Sequence, residues 1–157
     1  LVWMYCSREV DKKINHIHKR ALRLIYLDHT SSFEELLSKD GTVNIHQRNI
    51  QLVAIEMFKV LKEIGPELVR NLFVVDRSNQ NQPFRKPNIK NKIMGKDSAC
   101  YFGPKVWNEM LPNELKSIEE LEEFVDKVRK WIPTKEICRC NLCLEYIAGV
   151  GYTETFV

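Results

Sequence analysis

REVDKKINHIHKRALRLIY, residues 8–26, is the stretch on which the fold turns. Val10, Ile14, Ile17, Ala21, Leu24 and Ile25 recur in it at helical spacing. With about 100° of rotation per residue they fall within an arc of roughly 100°, which predicts an amphipathic helix. The opposite side carries Lys12, Lys13, His16, Lys19, Arg20 and Arg23 within an arc of about 120°. Set against Glu9 and Asp11, these residues give the helix a strong local excess of positive charge.

Helical signals continue downstream. Ser31 or Ser32, with Glu34 or Glu35 three residues on, predicts a capping box for a short helix, and Gly41 suits the left-handed position past its end. In NIHQRNIQLVAIEMFKVLKEIG, residues 44–65, Asn44 is the expected cap, and Ile45, Leu52, Ile55, Met57, Phe58 and Leu61 are in helical register. Gly65-Pro66 is the expected stop. PELVRNLFVV, residues 66–75, predicts one more short helix. Ser117 with Glu120 predicts a cap for a helix through Leu121, Phe124, Val128 and Trp131 that stops at Pro133. Strand signals are weak, so the expected fold is mainly α: a small helical domain over residues 1–75, a basic extended arm or linker over 76–98, and a C-terminal helical segment with a cysteine tail over 99–157. The arm is drawn from RSNQNQPFRKPNIKNKIMGK, residues 77–96. It holds Arg77, Arg85, Lys86, Lys90, Lys92 and Lys96, no acidic residue, and two prolines.

Composition narrows the classes. The chain's 157 residues are long enough for a real core, and 44% hydrophobic with 10% aromatic residues is an ordinary globular balance. No apolar run reaches the ~20 residues of a membrane span, and LVWMYC at the start runs straight into charges rather than a cleavage site. That opening begins inside an apolar segment, so Leu1, Val2, Trp3 and Tyr5 are expected to need a partner. Five cysteines, three of them crowded together, do not make a secreted disulfide framework, and an intracellular setting, nuclear or cytoplasmic, is expected. A net charge of +3 says little by itself; its concentration on one helix and one arm says more.

No Gly-rich phosphate loop, nucleophile elbow, helical zinc-protease pair or Mg²⁺-binding carboxylate cluster occurs, so no catalytic residue is assigned. AGVGYT is half a dinucleotide fingerprint without a strand before it. His16 and His18 lie about 200° apart on a helix and cannot share a metal ion. Cys138, Cys140 and Cys143, in CRCNLC, supply three thiolates where a structural zinc wants four ligands. Cys100, Cys6 or a distant histidine would complete the set; plain thiols, or a redox pair without its usual strand and helix, are the alternatives. The basic helix face likewise has two readings. It is a solvated face balanced by acids such as Glu119, Glu120, Glu122 and Glu123, or it lies against a phosphate backbone and releases counterions as each phosphate is neutralised. Trp107 and Trp131 sit at core spacing, although either ring could stack on a base.

The run LVWMYCSREVDKKINHIHKRALRLIYLDHTSSFEELLSKDGTVNIHQRNIQLVAIEMFKV, together with YFGPKVWNEMLP and CRCNLCLEYIAGVGY, resembles the C-terminal region of reverse transcriptases from jockey-like non-LTR retrotransposons. The resemblance covers nearly the whole chain. It implies a helical thumb and tail that follow missing fingers and palm. The helix over 8–26 would then face an RNA or RNA/DNA template-primer, and Lys12, Lys13, His16, Lys19, Arg20 and Arg23, with Arg85, Lys86, Lys90, Lys92 and Lys96 of the arm, would contact nucleic acid. The Y-x-D-D aspartates that hold Mg²⁺ in that family's palm have no counterpart here, and the tail lacks the histidine of the retrotransposon zinc knuckle. The expectation is a nucleic-acid-binding fragment of an RNA-directed DNA polymerase without polymerase chemistry of its own. The alternative is a helical protein-interaction module with no nucleic-acid role.

Overall fold

A computed structural model describes residues 8–79, 82–88 and 98–134. They are mainly helical: α1 (Arg8–Tyr26), α2 (Phe33–Asp40), α3 (Ile45–Leu61), α4 (Glu67–Arg70), α5 (Ala99–Lys105), α6 (Asn113–Lys116) and α7 (Leu121–Lys130), with two-residue strands β1 (Val74–Val75) and β2 (Phe84–Arg85). The chain divides into two compact units, residues 1–50 and 51–157, so α3 contributes its first turns to one and the rest to the other.

In the first unit the turn between α1 and α2 is built from side-chain oxygens. The Asp28 carboxylate accepts from the Thr30 and Ser31 backbone N–H groups at 3.1 and 3.0 Å and from the Ser31 hydroxyl at 2.7 Å. Those bonds hold its carboxyl well below the usual range, Ser31 contributing most. The capping box forms at Ser32: Glu35 N–H donates to Ser32 Oγ, and Ser32 N–H donates to Glu35 Oε2 at 2.7 Å. Gly41 takes φ 67°, as expected for the residue past the helix end. Leu22, Leu36 and Leu37 form the buried cluster, with Tyr26 and Phe33 packed against it. Tyr26 Oη donates to Asp40 Oδ1 at 2.7 Å, which lowers the Asp40 carboxyl and raises the Tyr26 phenol.

α1 does not dock through its apolar stripe. Its buried residues are Asp11, Asn15 and Leu22, and Asn15 Nδ2 donates to Asp11 Oδ2 at 3.0 Å. On a helix these three cluster about 110° away from the stripe's centre. Ile17, Leu24 and Ile25 are 67%, 70% and 67% exposed. An amphipathic pattern fixes which residues share a face, and α2 here receives the neighbouring face, which carries Leu22 and Tyr26.

The second unit is organised by aromatic rings. Phe58 of α3 stacks on Phe124 of α7 at 4.2 Å between centroids, and Trp107 lies 5.8 Å from Phe124 and 5.9 Å from Phe84, edge-on to the latter. All four are buried, so Trp107 is core and not a stacking platform; Trp131 is half-buried. Gly103 lies where α5 closely approaches α3: a Cβ there would sit 2.6 Å from Met57 Sδ. Pro104, which has no N–H to donate, follows inside α5, and the helix runs on into a π-helical turn, Val106–Met110, closed by Leu111 N–H on Val106 O at 2.9 Å.

Other expectations differ in detail. Asn44 caps α3 as predicted, accepting from Gln47 N–H at 2.8 Å, but α3 ends at Leu61, before Gly65-Pro66, with Glu63 at φ 59°. Ser117 does not cap α7: it closes α6, its hydroxyl donating to Glu114 O at 2.8 Å, and Glu120 occupies the cap position of α7. The stretch expected as an extended arm is folded at its start. Val74 pairs with Arg85 and Val75 with Phe84 in an antiparallel ladder, and Phe84 is 2% exposed, an apolar anchor within a polar run.

Candidate nucleic-acid interface

The basic residues of α1 are presented by a helix held at its C-terminal half by Leu22 and Tyr26; in its N-terminal half the buried Asp11 and Asn15 bond to each other within the helix. Lys13, His16 and Arg20 are exposed. Lys12, Lys19 and Arg23 are half-buried, nearer the docked face; Lys12 and Lys19 interact with neighbouring groups, and Arg23 Nε is enclosed without an acceptor. All six therefore share one side of α1, in two rows: an outer row open to a ligand and an inner row partly held by the fold. His18, outside this set, turns its ring edge-on to Phe33 at 5.5 Å.

Of the arm residues, Arg85 is exposed on β2 and Lys86 is half-buried beside Glu109, with which it forms an ion pair. Burial, and then the charge of Lys105, push the Lys86 ammonium below its usual value. An added anion would relieve that repulsion. Lys116 is also lowered by burial, its Nζ donating to Asn108 O at 3.2 Å. Lys105 and Lys116 thus join Lys86 around the π-helical turn. Sequence reasoning missed both, because nothing in a linear pattern links residue 86 to 105 or 116. Arg77, by contrast, is tied to Glu63. Lys90, Lys92 and Lys96 lie outside the described residues, as do Cys138, Cys140 and Cys143. Among the described residues no three His, Cys, Asp or Glu side chains are placed to hold a metal ion, and no helix is long and apolar enough to cross a membrane.

What this arrangement can do is electrostatic. Cations ranged along a docked helix can bind polyanions. Comparison with protein-family models, curated proteins and solved structures finds no match to this chain in any of the three.

Proposed function

We propose that the chain is a nucleic-acid-binding module that grips the phosphate backbone of an RNA or RNA/DNA duplex through the basic side of α1, as the thumb-like part of a reverse transcriptase would. One observation carries this reading: six basic residues lie on one side of a single docked helix, with Lys13, His16 and Arg20 exposed along it. Phosphates spaced along a duplex suit a row of cations about 15 Å long, the rise from Lys13 to Arg23. Arg85 and the lysines around the π-helical turn, in the second unit, would offer a sequence-independent phosphate contact of their own. Such a module acts inside the cell, in the nucleus or cytoplasm, and relies on a separate palm for polymerisation.

The test is a Lys13→Gln, His16→Gln, Arg20→Gln variant, measured for duplex affinity at several salt concentrations with circular dichroism as the folding control. Each phosphate that the variant no longer neutralises lowers the slope of log affinity against log salt by about 0.9, so a drop of about 2–3 is expected, equal for all duplex sequences. A folded variant with an unchanged slope refutes the proposal.

A further inference from the structure

The apolar stripe left open on α1 has the pattern of a helix-packing seam. Val10, Ile14, Ile17, Ala21 and Leu24 follow one another at steps of four, three, four and three residues, the alternation that keeps a line of side chains facing one partner helix. Ile17 and Leu24 are 67% and 70% exposed, Ala21 is exposed, and Val10 and Ile14 are half-exposed, so the seam runs open over about 21 Å. Ala21, the smallest residue of the seam, leaves a hollow between Ile17 and Leu24 that suits a large side chain from a facing helix. A lipid surface has no use for such a hollow.

The flanks select the occupant. On one side of the seam stand Lys13 and Arg20, both exposed; on the other stand buried Asp11, half-buried His18 and exposed Ile25. Residues at these flanking positions face each other across a helix pair and set which partner is accepted. A second copy of α1 packed antiparallel would oppose Lys13 to Arg20, like to like. Packed parallel, it would oppose Lys13 to His18 and Arg20 to Ile25. Neither arrangement gives the two cations a carboxylate. We propose that this seam docks an amphipathic helix of another protein, at least two heptads long, with a Leu- or Ile-rich ridge and Glu or Asp facing Lys13 and Arg20, in competition with nucleic acid for those two cations.

The probe is a fluorescein-labelled four-heptad peptide with Leu along its seam and Glu at both flanking positions, compared with the same peptide carrying Lys there. Fluorescence anisotropy with the full chain is expected to show saturable binding of the Glu peptide, with the Lys peptide at least tenfold weaker. Ile17→Gln with Leu24→Gln weakens the Glu peptide at least tenfold, and Lys13→Glu with Arg20→Glu reverses the preference between peptides. The charge-reversal arm stands on its own if the glutamine variant melts early. Equal affinity for both peptides, or no binding of the Glu peptide at 100 µM, overturns the proposal. So does a dimer in sedimentation that the glutamine variant dissolves, which makes a second copy the occupant. Binding to phosphatidylserine vesicles that disappears in that variant overturns it in favour of lipid.

Discussion

Gln51 is fully buried, and its side-chain amide donates from Nε2 to two carbonyls, Arg129 O at 3.1 Å and Trp131 O at 2.6 Å. Both acceptors lie where α7 ends. The last carbonyls of a helix have no partner within it, and Trp131 N–H already serves Lys127 O and Val128 O. Gln51 thus supplies from α3 the donors that α7 lacks and ties the two helices beside the Phe58–Phe124 stack. Replacing it by Leu keeps the volume and removes the donors. Each neutral hydrogen bond contributes about 0.5–1.5 kcal/mol net, and a stranded buried acceptor costs about 1–3 kcal/mol. Because Arg129 is exposed and Trp131 half-buried, water reaches part of that deficit, so we expect Gln51→Leu to destabilise by roughly 2–3 kcal/mol. At about 4 °C per kcal/mol for a unit of this size, the melting temperature falls by ~10 °C. Thermal and urea unfolding, followed by far-ultraviolet circular dichroism and by tryptophan fluorescence, measure it. A purely space-filling Gln51 predicts the opposite sign, since an apolar residue of equal size gains transfer free energy on burial. A Gln51→Leu protein as stable as the wild type, or more stable, refutes the clamp.

Gly103→Ala is expected to cost about 1–3 kcal/mol in the same unfolding assay, because the new methyl meets Met57 Sδ at 2.6 Å and Phe73 at 3.1 Å. The Tyr26–Asp40 bond sets an acid limit for the first unit. The folded Asp40 carboxyl lies below its unfolded value, so its contribution is complete above about pH 4 and is lost as pH falls through the folded value. Tyr26→Phe should flatten the pH dependence of stability between about pH 5 and pH 2, and superimposable profiles would show that the bond contributes nothing.

How much of this was legible in the sequence depends on the range of the interaction. Local chemistry was readable where it is complete within a few residues. The Ser32–Glu35 box, the left-handed Gly41 and the Asn44 cap are satisfied by groups three or four positions away. Ser117 shows the limit even there, because the same hydroxyl closes α6 when a short turn competes for it. The mainly α class followed from periodicity, and the grouping of six basic residues on one side of α1 followed from 3.6 residues per turn.

Tertiary structure alone decided which face of α1 is used. Periodicity assigns residues to faces, but the face that meets α2 depends on shapes supplied by Leu36, Leu37 and Phe33, and these accept Leu22 and Tyr26 while Ile17 and Leu24 stay in solvent. The same holds for Phe84, drawn from a polar stretch into the aromatic core by partners at residues 73 and 107, and for Gln51, whose acceptors lie 78 and 80 residues away. Lys105 comes to Lys86, and Lys116 to Asn108 O, only when the π-helical turn is in place. The sequence by itself determined what each segment carries, because capping and helical pitch act within a turn or two; which carried groups meet was decided by packing, which acts between segments that no local pattern connects.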